Sequence, residues 1–415
     1  MIWDYPSIAL KIMEMQRNQW KGREELEAMQ EKKLLALISN ARTNAPCYHA
    51  LPDIRSLDEL SSLPLTEKKD LWESDRHISK LFPKEKLTMV STSGSTGMPL
   101  VIYRTKHDVD YFCMLQCSRM ISTGVYPLSL VGKVLYQRRN YFFWAPGVFR
   151  YLFVSMFEEE GKILSMLKKA KPDILLSYPS TIIPLAHHNL ESALGVRVPR
   201  VLSNSEVLSE QARKLISGSF GCTIRDLYGA IETGPIAFEC EKGNMHVHSD
   251  SQIVEVLDKN GEQVKEGQEG EMVVTPLWQQ AMPLIRYRLG DSVTLGGQCT
   301  CGRGSHTLKN IKGRSVDYIV MRSGRPCPLG LDLFIRNFHN ILLFQIIQDE
   351  PGKVTIKIVP RGTFTDSSRQ ALIRTLNENS PEPLDISIEI VKSIPKTRTG
   401  KISCVVSSLK PDLPT

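Results

Sequence analysis

The spacing of apolar residues predicts that strands and helices alternate through the middle of the chain. The segment "KPDILLSYPSTIIPLAHHNL" (residues 171–190) combines a continuous apolar run, typical of a buried strand, with a turn and a helix. Residues 198–221 repeat that order, and "CTIRDLYGAIET" (222–233) adds another strand and a turn. Nearer the N-terminus, residues 16–43 have the apolar spacing of one helix. Strands that alternate with helices favour an α/β arrangement with parallel strands.

The pattern changes after Met245. Residues 251–277 alternate apolar and polar positions around a turn at Asn260 and Gly261, which predicts antiparallel β-structure. From about residue 317 the spacing of apolar residues predicts a smaller unit of three strands and one helix. The predicted fold class is therefore α/β, with a large N-terminal domain (1–315) that includes a β-subdomain and a small α+β C-terminal domain (316–415).

Composition narrows the class of protein. The 415 residues are 41% hydrophobic and carry a net charge of +7 that is spread along the chain, which is weak evidence for nucleic-acid binding. No apolar stretch is long enough to span a bilayer, and the N-terminus lacks the pattern of a signal peptide. We therefore expect a cytoplasmic protein without nucleic-acid or membrane partners, in which the nine cysteines are thiols or metal ligands.

A loop rich in glycine and hydroxyl residues follows the run "KLTMV". Glycines let the backbone curl, and consecutive N–H and O–H groups can surround an anion, but the same composition is common in flexible turns. The loop is not the nucleotide-binding P-loop, because Met98 and Pro99 follow its last glycine instead of Lys and Ser or Thr. The candidate anion-binding residues are Ser91, Thr92, Ser93, Gly94, Ser95, Thr96 and Gly97.

Four further stretches stand out. They are "YGAIETG" (228–234), "MPLIRYRLGD" (282–291), "IKGRSVDYIV" (311–320) and "PKTRTGKI" (395–402). An aromatic residue, a glycine and a carboxylate at the exit of a strand lie where open α/β sheets place ligands. Each residue taken alone also has a plainer interpretation: Tyr228 as a core aromatic, Asp291 as a turn residue and Lys401 as a solvated lysine.

In this order, the loop and the four stretches resemble the acyl-adenylate-forming (ANL) superfamily, and within it the phenylacetate–CoA ligase-like and capsule-biosynthesis branch. The resemblance is strong between residues 171 and 317 and implies ATP-dependent activation of a small, preferably aryl, carboxylic acid as acyl-AMP, followed by transfer to CoA. The alternatives are transfer to a carrier protein or an amine, and a degenerate relative that binds nucleotide without catalysis. The family implies a small domain that moves about a hinge beside Gly313 and Arg314; a monomer and a homodimer are both open.

The resemblance also implies roles for individual residues. Residues 91–97 would surround the β- and γ-phosphates of ATP, although Leu100 replaces the lysine that often ends the family's loop. Glu232 would hold Mg²⁺ and Lys401 would reach in from the small domain, which makes these two the candidate catalytic residues. The remaining nucleotide-binding candidates are Ser205, Glu206, Tyr228 (adenine), Gly229, Asp291 (ribose) and Arg314 (ribose and phosphate).

Two other segments carry candidate chemistry. "ECEKGNMH" and "QCTCGR" supply three thiols and an imidazole, a closed tetrahedral set of the structural zinc type. Isolated thiols are the ordinary alternative, and His248 is the alternative histidine. The predicted ligands are Cys240, His246, Cys299 and Cys301. The aromatic run of Tyr141, Phe142, Phe143 and Trp144 either lines a pocket for the acid or packs in a core.

Overall fold

The structure is a computed structural model. It describes residues 5–91, 100–135, 149–311, 319–324, 331–335, 338, 340–380, 382–395, 402–407 and 409. The helices are α1 (Tyr5–Asn18), α2 (Arg23–Asn44), α3 (Ser74–His77), α4 (Lys106–Ser122), α5 (Glu160–Ala170), α6 (Pro179–Glu191), α7 (Glu210–Phe220), α8 (Leu331–Ile335) and α9 (Asp366–Glu378).

The strands follow the predicted change of pattern along the chain. They are β1 (Thr88–Ser91), β2 (Val101–Arg104), β3 (Leu130–Leu135), β4 (Arg150–Ser155), β5 (Ile174–Ser177), β6 (Arg200–Asn204), β7 (Thr223–Ala230), β8 (Gly234–Glu239), β9 (Met245–Val247), β10 (Gln252–Leu257), β11 (Glu269–Pro276), β12 (Tyr287–Gly296), β13 (Thr307–Lys309), β14 (Ile341–Glu350), β15 (Lys353–Pro360), β16 (Asp385–Ile390) and β17 (Val405–Ser407).

One mixed sheet organises the large domain. Its strand order is β10-β11-β12-β13-β9-β8-β7-β6-β5-β3-β4 within the described residues. Strands β4, β3, β5, β6 and β7 pair in parallel. The neighbours from β7 through β8, β9, β13, β12 and β11 to β10 pair antiparallel. The predicted α/β arrangement with a β-subdomain is confirmed, and the parallel strands are apolar because helices cover both of their faces.

Strand β3 shows how the two faces are covered. A side chain added at Gly132 would touch Leu167 of α5 and Pro172, so α5 packs on that face. The neighbouring Lys133 points to the opposite face, because side chains alternate along a strand. There it lies within electrostatic range of Cys113 and Cys117 of α4. Helices α4 and α5 therefore enclose the parallel half of the sheet from opposite sides.

The small domain has its own sheet and core. Its strands follow the order β16-β15-β14-β17, and α9 packs Leu372 and Leu376 against them. The capping hydroxyl of Thr365 accepts a hydrogen bond from the Ser368 N–H at the start of α9. The predicted α+β unit is confirmed, whereas the boundary at 315/316 lies outside the described residues and stays a prediction.

The N-terminal helix differs from the prediction. The apolar spacing predicts one helix over residues 16–43, but the chain forms α1 and α2 with a break at residues 19–22. Gly22 has an extended conformation (φ −62°, ψ 162°) and precedes the first turn of α2. Gln16 lies in α1 and donates to the Ser118 carbonyl (2.8 Å). The break lets α1 pack on α4, a contact that apolar spacing along the chain does not encode.

No helix among the described residues combines the length and apolar character that crossing a lipid bilayer requires.

Candidate active site

A tight hairpin carries the first cluster of predicted site residues. Strand β7 ends at Ala230, and β8 begins at Gly234. A Cβ added at Gly229 would lie 2.6 Å from the Gly234 carbonyl oxygen, and Gly234 itself has φ +79°. Both positions therefore require glycine. The hairpin presents the loop 231–233 at the carboxyl end of β7, where ligands bind in open α/β sheets.

Tyr228 and Asp291 meet across the sheet. The Tyr228 hydroxyl donates a hydrogen bond to the Asp291 carboxylate, although the two residues lie 63 positions apart in the sequence. Tyr228 comes from β7, and Asp291 comes from β12. The structure thus brings together an aromatic ring and a carboxylate that the family motifs assign to adenine and ribose.

Two side chains hold the backbone of the loop that carries Glu232. The side chain of Gln279 donates to the Glu232 carbonyl (2.6 Å), and the Arg104 guanidinium donates to the Ile231 carbonyl. Only 1% of Glu232 is exposed. A buried carboxylate on a loop that is anchored at both neighbouring carbonyls has the fixed position that a metal–phosphate ligand needs.

Arg104 is a residue that the sequence analysis missed. Its guanidinium lies over the rings of Phe112 (4.6 Å) and Trp278 (5.5 Å). Burial lowers its pKa to about 10, while the charges of Asp108 and Glu232 act in the opposite direction. Arg104 ends an apolar strand directly before a helix. Arginine is unusual at such a position, and this was the feature of the sequence that could have identified it.

Asp108 is a second missed residue. Its carboxylate caps α4 by accepting from the Thr105 N–H (2.9 Å), and it also accepts from the N–H groups of Gln280 (2.9 Å) and Ala281 (3.0 Å). The pattern of Thr105 followed three residues later by Asp108 signals a capping box, but not the long-range contacts. Arg104 and Asp108 therefore join the β2–α4 corner to two segments beside Glu232: the loop 231–233 and residues 280–281.

Ser205 and Glu206 follow the end of β6. Ser205 has φ +64°, which is uncommon for a residue with a side chain. Glu206 accepts hydrogen bonds from the Ser180 N–H (2.8 Å) and hydroxyl (2.9 Å) in the first turn of α6. Glu206 therefore stabilises the N-terminus of α6, and its predicted contact with nucleotide stays a prediction.

Several predicted residues lie outside the described part of the chain. They are residues 92–97 of the glycine-rich loop, Arg314, Lys401 and the aromatic run 141–144. Ser91 is described as the last residue of β1, which pairs with β2. Through this pairing, the backbone that enters the loop lies beside the strand that carries Arg104.

Two family models match the chain. Residues 25–276 match the model described as AMP-binding enzyme, and residues 329–408 match the CapK C-terminal domain. The chain belongs to the AMP-binding enzyme family. This confirms the acyl-adenylate-forming superfamily that the ordered motifs indicated, and with it the class of AMP-forming ligase-like enzymes.

Individual AMP-binding relatives cover most of the chain. The phenylacetate-coenzyme A ligase of Thermus thermophilus is 29% identical over 360 residues, which are 80% of this chain and 80% of the relative. Protein CapK of Staphylococcus aureus is 24% identical over 373 residues, or 85% of this chain and 81% of the relative. These matches agree with the phenylacetate–CoA ligase-like and capsule-type branch.

A solved CoA ligase has the same fold. 2-Hydroxyisobutyryl-CoA ligase in its postadenylation state superimposes with a TM-score of 0.81 at 18% identity, over 94% of this chain and 91% of the ligase. The same ligase in its thioesterification state covers the same shares with a TM-score of 0.63 at 17% identity. Both superpositions show that the two chains share a fold.

The four predicted zinc ligands of this AMP-binding enzyme form one cluster. Their ligand atoms all lie within 4.8 Å of one another. The sulfur atoms of Cys240 and Cys299 are 3.8 Å apart, and the Cys301 sulfur lies 3.2 Å from His246 Nε2. Two thiolates that bind one tetrahedral zinc ion at ~2.3 Å are separated by ~3.8 Å. The described donor set therefore fits zinc.

Strand pairing explains why these four residues meet. Cys240 and His246 flank the β8–β9 hairpin, and β9 pairs with β13, which follows the loop with Cys299 and Cys301. His246 Nδ1 lies 3.0 Å from the Ser305 hydroxyl, so that Nε2 faces the thiols. The alternative residue, His248, packs beside the Phe238 ring (5.0 Å) and is not in the cluster.

Proposed function

We propose that this protein is an ATP-dependent ligase that activates a small, preferably aryl, carboxylic acid as acyl-AMP and transfers the acyl group to CoA. The observation that carries the proposal is the convergence of Tyr228, Asp291 and the anchored Glu232 at the carboxyl end of the central sheet. Family membership and the ligase relatives support both half-reactions.

The first half-reaction joins two anions. A carboxylate oxygen attacks the α-phosphorus of ATP, the bond to the bridging oxygen breaks, and pyrophosphate leaves. The protein must place the two reactants and balance the charge that builds up between them. We assign Tyr228 to the adenine, Asp291 to the ribose, Arg314 to the ribose and phosphate, and residues 91–97 to the leaving phosphates. Ser205, Glu206 and Gly229 are further nucleotide-binding candidates.

Two further residues would balance the negative charge of the phosphates and the attacking carboxylate. Glu232 would hold Mg²⁺, which shields the phosphate oxygens when bound. Lys401 would neutralise charge on the α-phosphate and the attacking carboxylate. In the second half-reaction, the CoA sulfur attacks the acyl carbonyl after losing its proton, and AMP leaves. ATP and CoA are both supplied in the cytoplasm, which we propose as the compartment of this reaction.

We further propose that Cys240, His246, Cys299 and Cys301 bind a structural zinc ion. Four protein ligands complete a tetrahedral shell and leave no position for a reacting water. Backbone N–H groups of Lys242 (3.4 Å) and Cys301 (3.5 Å) point at the sulfur atoms of Cys240 and Cys299 and would stabilise their thiolate forms. The ion would join the β8–β9 hairpin to the β12–β13 loop.

Pyrophosphate release from ATP and Mg²⁺ tests the proposal. A panel of aryl and aliphatic acids is assayed with and without CoA, with Lys401→Ala as the control. Acid-dependent release that CoA accelerates, together with formation of the acyl-CoA, is the expected result. Acid-dependent release that CoA leaves unchanged would favour a carrier protein or an amine as the acceptor. ATP binding without turnover of any acid would contradict the ligase proposal.

A further inference from the structure

Arg303 lies beside the cysteine–histidine cluster without being one of its four proposed ligands. Its side chain is 6% exposed. Its Nη1 donates a hydrogen bond to the Cys301 sulfur (3.3 Å) and another to the Glu241 carboxylate (3.0 Å). A buried guanidinium needs negative charge close to it, and a thiolate and a carboxylate both supply that charge. Arg303 is therefore in direct contact with one of the proposed zinc ligands.

The charge of a zinc-loaded cluster explains the value of a cation at this position. A zinc ion bound by three thiolates and a neutral imidazole carries one net negative charge. Two of the sulfur ligands, Cys240 and Cys299, are buried. Arg303 brings one positive charge to the third sulfur. Groups that hydrogen-bond to metal ligands orient them, and their removal commonly weakens metal binding by ~10–100-fold.

The same guanidinium reaches the break between α1 and α2. Its Nε donates to Gln19 Oε1 (3.2 Å), and its Cζ lies 4.5 Å from the centre of the Trp20 ring. Gln19 in turn donates through Nε2 to the Ser122 hydroxyl of α4 (2.7 Å). Arg303 therefore contacts the cluster and the break at residues 19–22 at the same time.

The backbones of the two segments also meet here. A Cβ added at Gly304 would lie 2.1 Å from the Lys21 carbonyl oxygen, so a larger residue at position 304 would push the segments apart. A Cβ added at Gly302 would lie 3.7 Å from the Trp20 ring, in ordinary van der Waals contact. The loop that carries two of the cluster's cysteines is thus the surface on which the α1–α2 break packs.

We propose that Arg303 couples zinc binding to the docking of residues 19–22, so that the α1–α2 break is part of the metal site although it supplies no ligand. This inference rests on the zinc site proposed above and is independent of the ligase activity. Coupling between two binding events is reciprocal. Removal of zinc should loosen the break, and removal of the docking contacts should weaken zinc binding to the same extent.

Zinc affinity tests the coupling. It is measured on the full chain by competition with a chromophoric chelator. We expect Arg303→Gln to weaken zinc binding by ~10–100-fold, and Arg303→Lys, which keeps the charge but not the planar fork, to lose less. Trp20→Ala should weaken it by ~2–10-fold, the range of one cation–π contact. Trp72→Ala is the matched control, because Trp72 and Trp20 are similarly exposed (53% and 55%), and it should have no effect.

Hydrogen exchange measures the reciprocal effect. The N–H groups of Trp20 and Lys21 donate to the carbonyls of Arg17 and Asn18 within the break. We expect removal of zinc to speed the exchange of these two amides in the wild type. In Arg303→Gln they should already exchange fast, and zinc should change their rates little.

The outcomes separate the coupling from the zinc site itself. Wild-type zinc affinity in both Arg303→Gln and Trp20→Ala would overturn the coupling and leave the zinc site standing. A wild-type chain that binds no zinc would reject both. If melting curves show that Arg303→Gln does not fold, Arg303→Lys and Trp20→Ala decide by the same measurements. A failed ligase assay has no bearing here, since none of these measurements requires a carboxylic acid or ATP.

Discussion

Glu232 is the residue whose position the surrounding side chains control most closely. Gln279 and Arg104 bind the carbonyl groups of Glu232 and Ile231, and neither bond uses the carboxylate. We expect Glu232→Gln to reduce acid-dependent pyrophosphate release by ~10²–10³-fold, because a preorganised charge partner is lost. The Mg²⁺ concentration that gives the half-maximal rate of pyrophosphate release should rise as well.

The matched control for this change is Glu262→Gln on the exposed β10–β11 turn. It should leave both the rate and the Mg²⁺ requirement unchanged. Wild-type kinetics in Glu232→Gln would remove Glu232 from the proposed site.

Asp226 should make stability depend on pH. Its pKa is raised from the ordinary 3.8 to about 7 in the folded protein, chiefly by burial. The folded state therefore keeps this proton at pH values where the unfolded chain has lost it. The contribution to stability is complete below pH 4 and is lost as pH rises to about 7.

Asp226→Asn has no proton to lose at this position. We expect its free energy of unfolding, relative to that of the wild type, to increase between pH 4 and pH 7 in urea titrations. A difference between the two proteins that does not change with pH would show that Asp226 titrates at its ordinary pKa.

At the scale of elements, the β7–β8 hairpin depends on glycine at 229. The Cβ of alanine would lie 2.6 Å from a backbone oxygen, which flexible side chains cannot relieve. We expect Gly229→Ala to lower the free energy of unfolding by about 1–3 kcal/mol, the usual cost of overpacking.

Gly218→Ala in α7 is the matched control, since a Cβ there meets nothing within 4 Å. It should stabilise the protein by about 0.5–1 kcal/mol through helix propensity. Equal effects of the two changes in urea unfolding would contradict the close approach at Gly229.

The cysteine–histidine cluster joins two hairpins, so metal removal should act on stability. We expect about one zinc ion per chain by elemental analysis, and a lower melting temperature after treatment with a strong chelator. Cys299→Ser should lose the ion and lower the melting temperature by about 5 °C or more, as a loss of a few kcal/mol implies. Cys47→Ser, outside the cluster, should do neither. A full metal content in Cys299→Ser would exclude the proposed site.

At the scale of the whole molecule, the two half-reactions should depend differently on the small domain. We expect Lys401→Ala to reduce adenylate formation by ~10²–10³-fold, because a positive charge near the α-phosphate is lost. Conversion of added acyl-AMP and CoA to acyl-CoA should be nearly unchanged.

The two reactions are measured separately, by pyrophosphate release and by thioester formation from purified acyl-AMP. Equal losses in both would show that Lys401 supports the fold or the domain arrangement rather than the first reaction.

Local patterns along the chain determined most of the fold. Buried parallel strands appear as continuous apolar runs, and the turn at Asn260 and Gly261 appears as a β-turn, because both depend on residues a few positions apart. Ordered motifs also placed Tyr228, Glu232 and Asp291 in one family site. The break at residues 19–22 was missed, since it depends on how α1 packs on α4.

Tertiary structure decided which distant residues meet. Sequence could not choose between His246 and His248 as the partner of the cysteines, because the choice depends on the register of β9 with β8 and β13. It also gave no sign that Arg104 anchors the loop of Glu232, or that Arg119 is buried. Burial and pairing arise only when segments far apart in the chain pack together, so local patterns along the sequence do not contain them.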